Sequence, residues 1–276
     1  GFFEPSQVIK IFLQGSGDVS QLRRYLTELV NRDLATGTHI SILMQMYLDA
    51  NKSSQNDELV NQLCLRRGKL AASLDAATAI KVLRRGGFVQ HALDIAESYD
   101  KDDEYVSILM DDRLAYDEVL DYLKTRPRVF AEAQLLRHGA ELIKNAGSAT
   151  TRMVMELCTS PKPGSGDEYV ADLARFAPLY VNCGKGPQTQ DFRHLCEQVI
   201  LSQKEAGAPP GVSANIIYHS LLDAYLRDDQ EHDAAGGPIV GDAVVDLLCR
   251  GWPPGHEPSY DPDVVLTRCA THGHLR

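Results

Sequence analysis

The chain has 276 residues, 43% of them hydrophobic and 24% charged, enough for a sizeable core in one extended or two compact domains. Lys and Arg number 28 against 38 Asp and Glu, a formal charge of −10 with no dense basic stretch to offset it. Nucleic acid and anionic membrane surfaces are thereby excluded as main partners, and 7% aromatic residues leave little material for stacking bases.

Helical periodicity dominates from the start, and no strand alternation interrupts it. Pro5 suits a first helical turn ahead of Val8, Ile9, Ile11 and Phe12. Asp18 or Ser20 caps a second helix whose Leu22, Tyr25, Leu26 and Leu29 recur at i, i+3, i+4, i+7. Thr36 or Thr38 precedes the same stripe in Ile40, Leu43, Met44 and Tyr47, and Leu59, Val60 and Leu63 predict a shorter fourth helix ending near Arg67-Gly68.

Asp75 caps the next helix, with Ala76, Ile80 and Leu83 on one face. Gly86 then falls where a helix end wants a left-handed residue, which glycine adopts without steric cost. Phe88, Ala92, Ile95, Ala96 and Tyr99 follow as the apolar face of the partner helix, so "LRRGGFVQHALDIAESY" (83–99) reads as an antiparallel hairpin. His91 lies on the opposite, solvent-facing side. The stretch has an echo: "VQHALDIA" (89–96) aligns with "YDEVLDYL" (116–123) at an offset of 27. With about a dozen short helices joined by short turns, this favours an all-α fold, an α-solenoid of stacked antiparallel helix pairs, with a compact helical bundle as the alternative.

After residue 158 the composition shifts. "SPKPGSGDE" (160–168), "GKGPQ" (184–188), "AGAPPG" (206–211), "AAGGP" (234–238) and "GWPPGHEP" (251–258) are turn-rich connectors. Helices are expected between them at 170–180, 192–201, 212–226, 240–248 and 264–269. The expectation is one solenoid over 1–276, regular to 158 and continued with longer loops over 159–276.

The search for chemistry yields no catalytic, cofactor-binding or metal-ligating residue. Cys269, His272 and His274 lie close together but lack a fourth ligand and a paired spacing. His194 and Cys196 point to different helix faces. Ser53-Ser54 has no neighbouring His and no nucleophile elbow. "GSGD" (15–18) and "GSGDE" (164–168) lack the lysine and glycine spacing of a phosphate loop. The acidic runs 100–104 and 228–233 lack the glycine and terminal Glu of a calcium loop. The six cysteines, Cys64, Cys158, Cys183, Cys196, Cys249 and Cys269, lie scattered among apolar neighbours, which predicts buried free thiols and a reducing compartment. Trp252, the only Trp, sits in a Pro-Gly loop as a gap-filler or a partner anchor, and Phe192 is a second candidate anchor.

Four stretches, "GFFEPSQVIKIFL" (1–13), "AIKVLRRGGFVQHALDIAE" (79–97), "YDEVLDYL" (116–123) and "AEAQLLRHGAELI" (131–143), resemble the central region of the vacuolar protein sorting-associated protein 11 family. The likeness continues more loosely through "MELC" (155–158), "DLARFAPLYVNCGK" (172–185), "IIYHSLLDAYLRD" (216–228), "AVVDLLCRG" (243–251) and "VVLTRCATHG" (265–273). The resemblance implies a clathrin-heavy-chain-repeat type solenoid and a non-catalytic scaffold of the HOPS and CORVET tethering complexes. It implies as partners the other class C core subunits and the C-terminal region of a complex-specific subunit. Its implied setting is cytoplasmic, peripherally on late endosome and lysosome or vacuole membranes, without insertion and without a small-molecule substrate. The family's N-terminal β-propeller and C-terminal RING finger are expected to be absent, which makes the chain a solenoid fragment starting at Gly1-Phe2 without an initiator Met. A helical subunit of another coat-type complex, or a helical enzyme with a site assembled from distant residues, are the competing readings.

Overall fold

The computed structural model describes residues 5–14, 18–32, 34–49, 75–159, 169–181, 187–205, 212–232, 244 and 261–271, and among them there is no strand. The helices expected at 59–68 and 240–248 lie outside these residues, save for the buried Val244. The chain divides into two compact units, Gly1–Ala115 and Tyr116–Arg276.

The first unit holds α1 (Pro5–Gln14), α2 (Val19–Asn31), α3 (Gly37–Asp49), α4 (Ala76–Gly86), α5 (Val89–Ser98) and α6 (Asp102–Ile108), which runs on into a π-helical turn, Leu109–Arg113. Each helix packs on the next, and α4 also reaches α6. Most of the expected stripes form the core: Leu22, Leu26 and Leu29, then Ile40, Leu43, Met44 and Tyr47, then Ala76, Ile80 and Leu83, then Ala92, Ile95 and Ala96 are buried, while Tyr25, Phe88 and Tyr99 are half-buried at the edges. Each such leucine or isoleucine removed from water contributes about 1.5–3 kcal/mol. Asp18 caps α2 by accepting the Ser20 N–H at 2.9 Å.

Whereas Arg32 ends α2 at φ −92°, left-handed residues follow α4, α5 and the π turn of this unit. Gly87, not the expected Gly86, takes that role at φ +80°, while Gly86 is the last residue of α4. The Phe88 N–H donates to the Leu83 carbonyl at 2.9 Å and the Gly87 N–H to that of Arg84 at 3.1 Å, the paired bonds of a Schellman end. Asp100 (φ 50°) repeats the arrangement after α5, with Lys101 N–H donating to Ala96 O at 2.8 Å, and Leu114 (φ 51°) closes the π turn. From Gly87 to Leu114 is 27 residues, the offset of the sequence echo, so the echo marks a recurrence of helix ends. Gly87→Ala is expected to destabilise the chain by about 1–2 kcal/mol, because a Cβ in the left-handed region meets the following carbonyl. Gly86→Ala, inside the helix, should instead be neutral or stabilising by up to about 1 kcal/mol. Urea denaturation of the two variants separates the positions.

The second unit holds α7 (Tyr116–Lys124), α8 (Arg128–Cys158), α9 (Leu173–Val181), α10 (Pro187–Glu205), α11 (Val212–His232) and α12 (Pro262–Thr271). Its α8 is a hairpin despite being continuous in hydrogen bonding. Ala146 breaks it with φ −139° and ψ 47°. A straight helix of 31 residues would be about 46 Å long, far beyond the span of one side chain. Yet the Arg128 guanidinium, in the first turn, donates to the carbonyls of Glu156, Leu157 and Thr159 at 2.5, 2.8 and 2.9 Å. The arms 128–145 and 147–158 therefore double back, and Arg128 caps the end of the second from the start of the first. Beyond this hairpin, α8 packs on α9 and α10, α9 on α10 and α11, and α11 on α12. Contact with the next helix and the next but one is the packing of an α-solenoid of helix pairs.

The expected helix at 170–180 starts later than its apolar pattern suggests. Residues 169–172 are not helical: the Ala171 N–H donates to the Leu157 carbonyl at 2.8 Å and the Tyr169 hydroxyl donates to Glu132. Asp172 caps α9 through the Ala174 N–H at 3.0 Å. Inside α9, Phe176 is fully buried.

Candidate interaction surface

Polar groups that the sequence did not single out tie helices together. On α4, Arg84 extends across the unit to the π turn: Nε lies 2.5 Å from Asp112, Nη2 3.2 Å from Asp111, and Nη1 3.2 Å from the Ser107 hydroxyl, which itself donates to Asp111 at 2.9 Å. A guanidinium supplies these directions at once, which a lysine cannot do. In the second unit the Glu132 carboxylate, 4% exposed, receives Arg175 Nη1 at 2.6 Å as well as the Tyr169 hydroxyl, whose own titration that bond pushes upward. The same use recurs in α10 and α11, where Tyr225 donates to Glu197 at 2.7 Å and Arg193 lies 5.0 Å above the Tyr225 ring.

Cys158, Cys196 and Cys269 are free and buried; Cys64, Cys183 and Cys249 lie outside the described residues. Burial pushes the Cys158 thiol up to about 12, with the Asp172 and Glu132 carboxylates adding to it, and raises Cys196 and Cys269 by the same cause. A nucleophilic cysteine needs the opposite shift. Alkylation with N-ethylmaleimide at neutral pH is accordingly expected to leave Cys158 and Cys196 unmodified in the folded chain and to label both in urea, as read by peptide mass spectrometry.

His91 is half-buried rather than solvent-facing. Its ring meets Phe88 edge-on at 5.8 Å between centroids, and its Nε2 is shielded from water. Phe192 is not a surface anchor either: it is 6% exposed and stacked on Tyr180 at 4.5 Å, while the Tyr180 hydroxyl bonds Thr151 at 3.0 Å. Trp252, His272 and His274 lie outside the described residues. Among the described residues no group of three His, Cys, Asp or Glu side chains is placed to hold a metal ion, and no helix is long and apolar enough to cross a membrane.

Eleven acidic residues and two basic ones occupy positions 94–121, so most of the −10 charge is concentrated in this stretch. In the first unit Ile11, Val19, Leu34 and Leu114 are exposed apolar side chains, and in the second Val129, Val170, Ile216 and Leu266 are. Leu114 combines exposure with a left-handed backbone that costs a leucine about 1–2 kcal/mol. The amides of Leu114 and Ala115 both end on the Leu109 carbonyl, which holds it there. Sequence reasoning did not single out this turn. Its helical pattern runs on without a break, and its restraint comes from Arg84, remote in sequence.

A profile of the PEP5/VPS11 clathrin repeat matches residues 1–241. The chain is 29% identical over 259 residues to the vacuolar protein sorting-associated protein 11 homolog of Mus musculus, an alignment covering 91% of this chain and 26% of that protein. To the homolog of Dictyostelium discoideum it is 32% identical over 163 residues, 59% of this chain and 16% of the other. To that of Arabidopsis thaliana it is 30% identical over 302 residues, 98% and 32% of the two lengths. The chain thus spans a third or less of each of these curated relatives.

Proposed function

Because the chain belongs to the PEP5/VPS11 clathrin repeat family, we propose that it is a non-catalytic scaffold acting in vacuolar protein sorting through protein–protein contacts. In the finer reading it is one solenoid segment of a multisubunit tethering complex of the HOPS and CORVET kind, serving endosome-to-lysosome or vacuole trafficking and fusion. Its partners are the other class C core subunits and the C-terminal region of a complex-specific subunit. It sits in the cytoplasm, held peripherally to late endosome and lysosome or vacuole membranes by the complex.

The observation that carries this reading is the match over residues 1–241. Support comes from the relatives, which are vacuolar protein sorting-associated protein 11 homologs. The engagement of Arg84, Glu132 and Arg175 in helix-to-helix ties, and the raised cysteine thiols, fit a scaffold. Interfaces of this type draw affinity from apolar and aromatic anchors in a polar rim. The test is titration of the whole chain with each purified core subunit and with the complex-specific subunits. Saturable binding at about micromolar Kd or tighter, weakened by substitution of Leu114 or Ile216 but not by conservative core changes, is the expected result. Absence of binding to every subunit overturns the proposal.

A further inference from the structure

The last described helix, α12, packs on α11, and Val265 and Cys269 are its two buried side chains. A helix of 10 residues does not persist alone in water, so α12 keeps its form by staying docked. Two polar ties bracket it. At its start the Asp261 N–H donates to His219 Nε2 at 3.3 Å, and along its length the Arg268 guanidinium pairs with Asp223 of α11. Asp261 also caps the helix, its carboxylate accepting the Asp263 N–H at 2.9 Å.

The first tie depends on protonation. An imidazole accepts through Nε2 only when neutral, with its hydrogen on Nδ1. A proton on Nε2 sets donor against the Asp261 N–H and places a second cation near Arg268. We propose that α12 is a pH-releasable latch, docked on α11 while His219 is neutral and freed when His219 takes up a proton.

The helices around His219 carry several charged groups, of which two from α12 act on it directly. From α12, Arg268 opposes protonation and the Asp261 carboxylate favours it. On α11 itself, Asp223 is engaged by Arg268. From α10, Arg193 and Glu197 meet α11 at Tyr225, further along the helix. Burial is the largest influence, and with Arg268 it holds His219 below the ordinary imidazole value of 6.5. The docked state therefore binds fewer protons than the released one. Docking is complete above that value and weakens as the pH falls below it. Release bares Val265 and Cys269.

Hydrogen exchange of the whole chain, corrected for intrinsic rates and compared at about pH 7.5 and about pH 5.5, reads the latch directly. Protection of 262–271 is expected to fall several-fold at the lower pH, below the single-imidazole ceiling of about tenfold, while that of 217–226 holds. His219→Gln, whose amide oxygen accepts the same bond without titrating, should show no step. Asp223→Asn should lower protection at both pH values and keep the step. Equal protection at both pH values, or a step that survives His219→Gln, overturns the latch, as does a step that disappears in Asp223→Asn alone. Should His219→Gln fail to fold, NMR titration of His219 in the unaltered chain decides: an imidazole value at or above 6.5 overturns it.

Discussion

Phe176→Ala is expected to destabilise the second unit by about 3–5 kcal/mol, the largest effect of any single substitution considered. Phe176 is fully buried on α9, which packs against α8, α10 and α11, so a void left there borders several helices. Packed neighbours relax only partly into such a void, and the lost contacts add to the lost transfer free energy. Phe176→Leu retains most of the volume and should cost about 1.5 kcal/mol or less. Urea denaturation followed by far-UV circular dichroism checks both values. Equal costs for Ala and Leu would show that the site collapses freely and that α9 is not the keystone of the unit.

Arg175→Ala is expected to cost about 3 kcal/mol, the low end of the range for breaking a buried pair from one side. Glu132 is 4% exposed and Arg175 is 55% exposed, so removal of the arginine strands a carboxylate that water hardly reaches. The Tyr169 hydroxyl stays as one donor, which keeps the cost from rising further. In Arg175→Ala combined with Glu132→Gln the stranded charge is gone, and the double variant should recover part of the loss. A double variant less stable than Arg175→Ala alone would place the energy in the hydrogen bonds rather than in the buried charge.

The two sites mark the boundary of what the sequence made legible. Phe176 sits in an apolar helical pattern, and such patterns located most of the core of α2, α3, α4 and α5, missing Leu93 and placing Tyr25, Phe88 and Tyr99 deeper than they lie. Buried faces are local properties of spacing, so periodicity finds them. The start of α9 is not local. Val170 and Ala171 continue a helical pattern, but Glu132 and the Leu157 carbonyl, both remote in sequence, claim Tyr169 and Ala171 for a segment outside the helix. The choice between Gly86 and Gly87 fails for a related reason: either glycine can take a left-handed backbone, and periodicity alone does not tell them apart. The surface was the least legible. Phe192 looks like an anchor in sequence, yet Tyr180 covers it, and the Leu114 turn is held by an arginine on another helix. The family resemblance, by contrast, rested on strings long enough to be read directly, and the match over residues 1–241 covers them all up to that point.

The joint at Ala146 leaves the hairpin no slack. Each residue inserted there would turn the second arm by about 100° about its axis, carrying Met153, Val154 and Leu157 away from the core they now fill. The alignment with the Arabidopsis thaliana relative runs over 302 positions, more than the 276 residues of this chain, so the lineage has gained or lost length somewhere. A loopless joint is a place where such length cannot accumulate: evolution can lengthen the connectors around this hairpin, but its two arms must be inherited as a single measured piece.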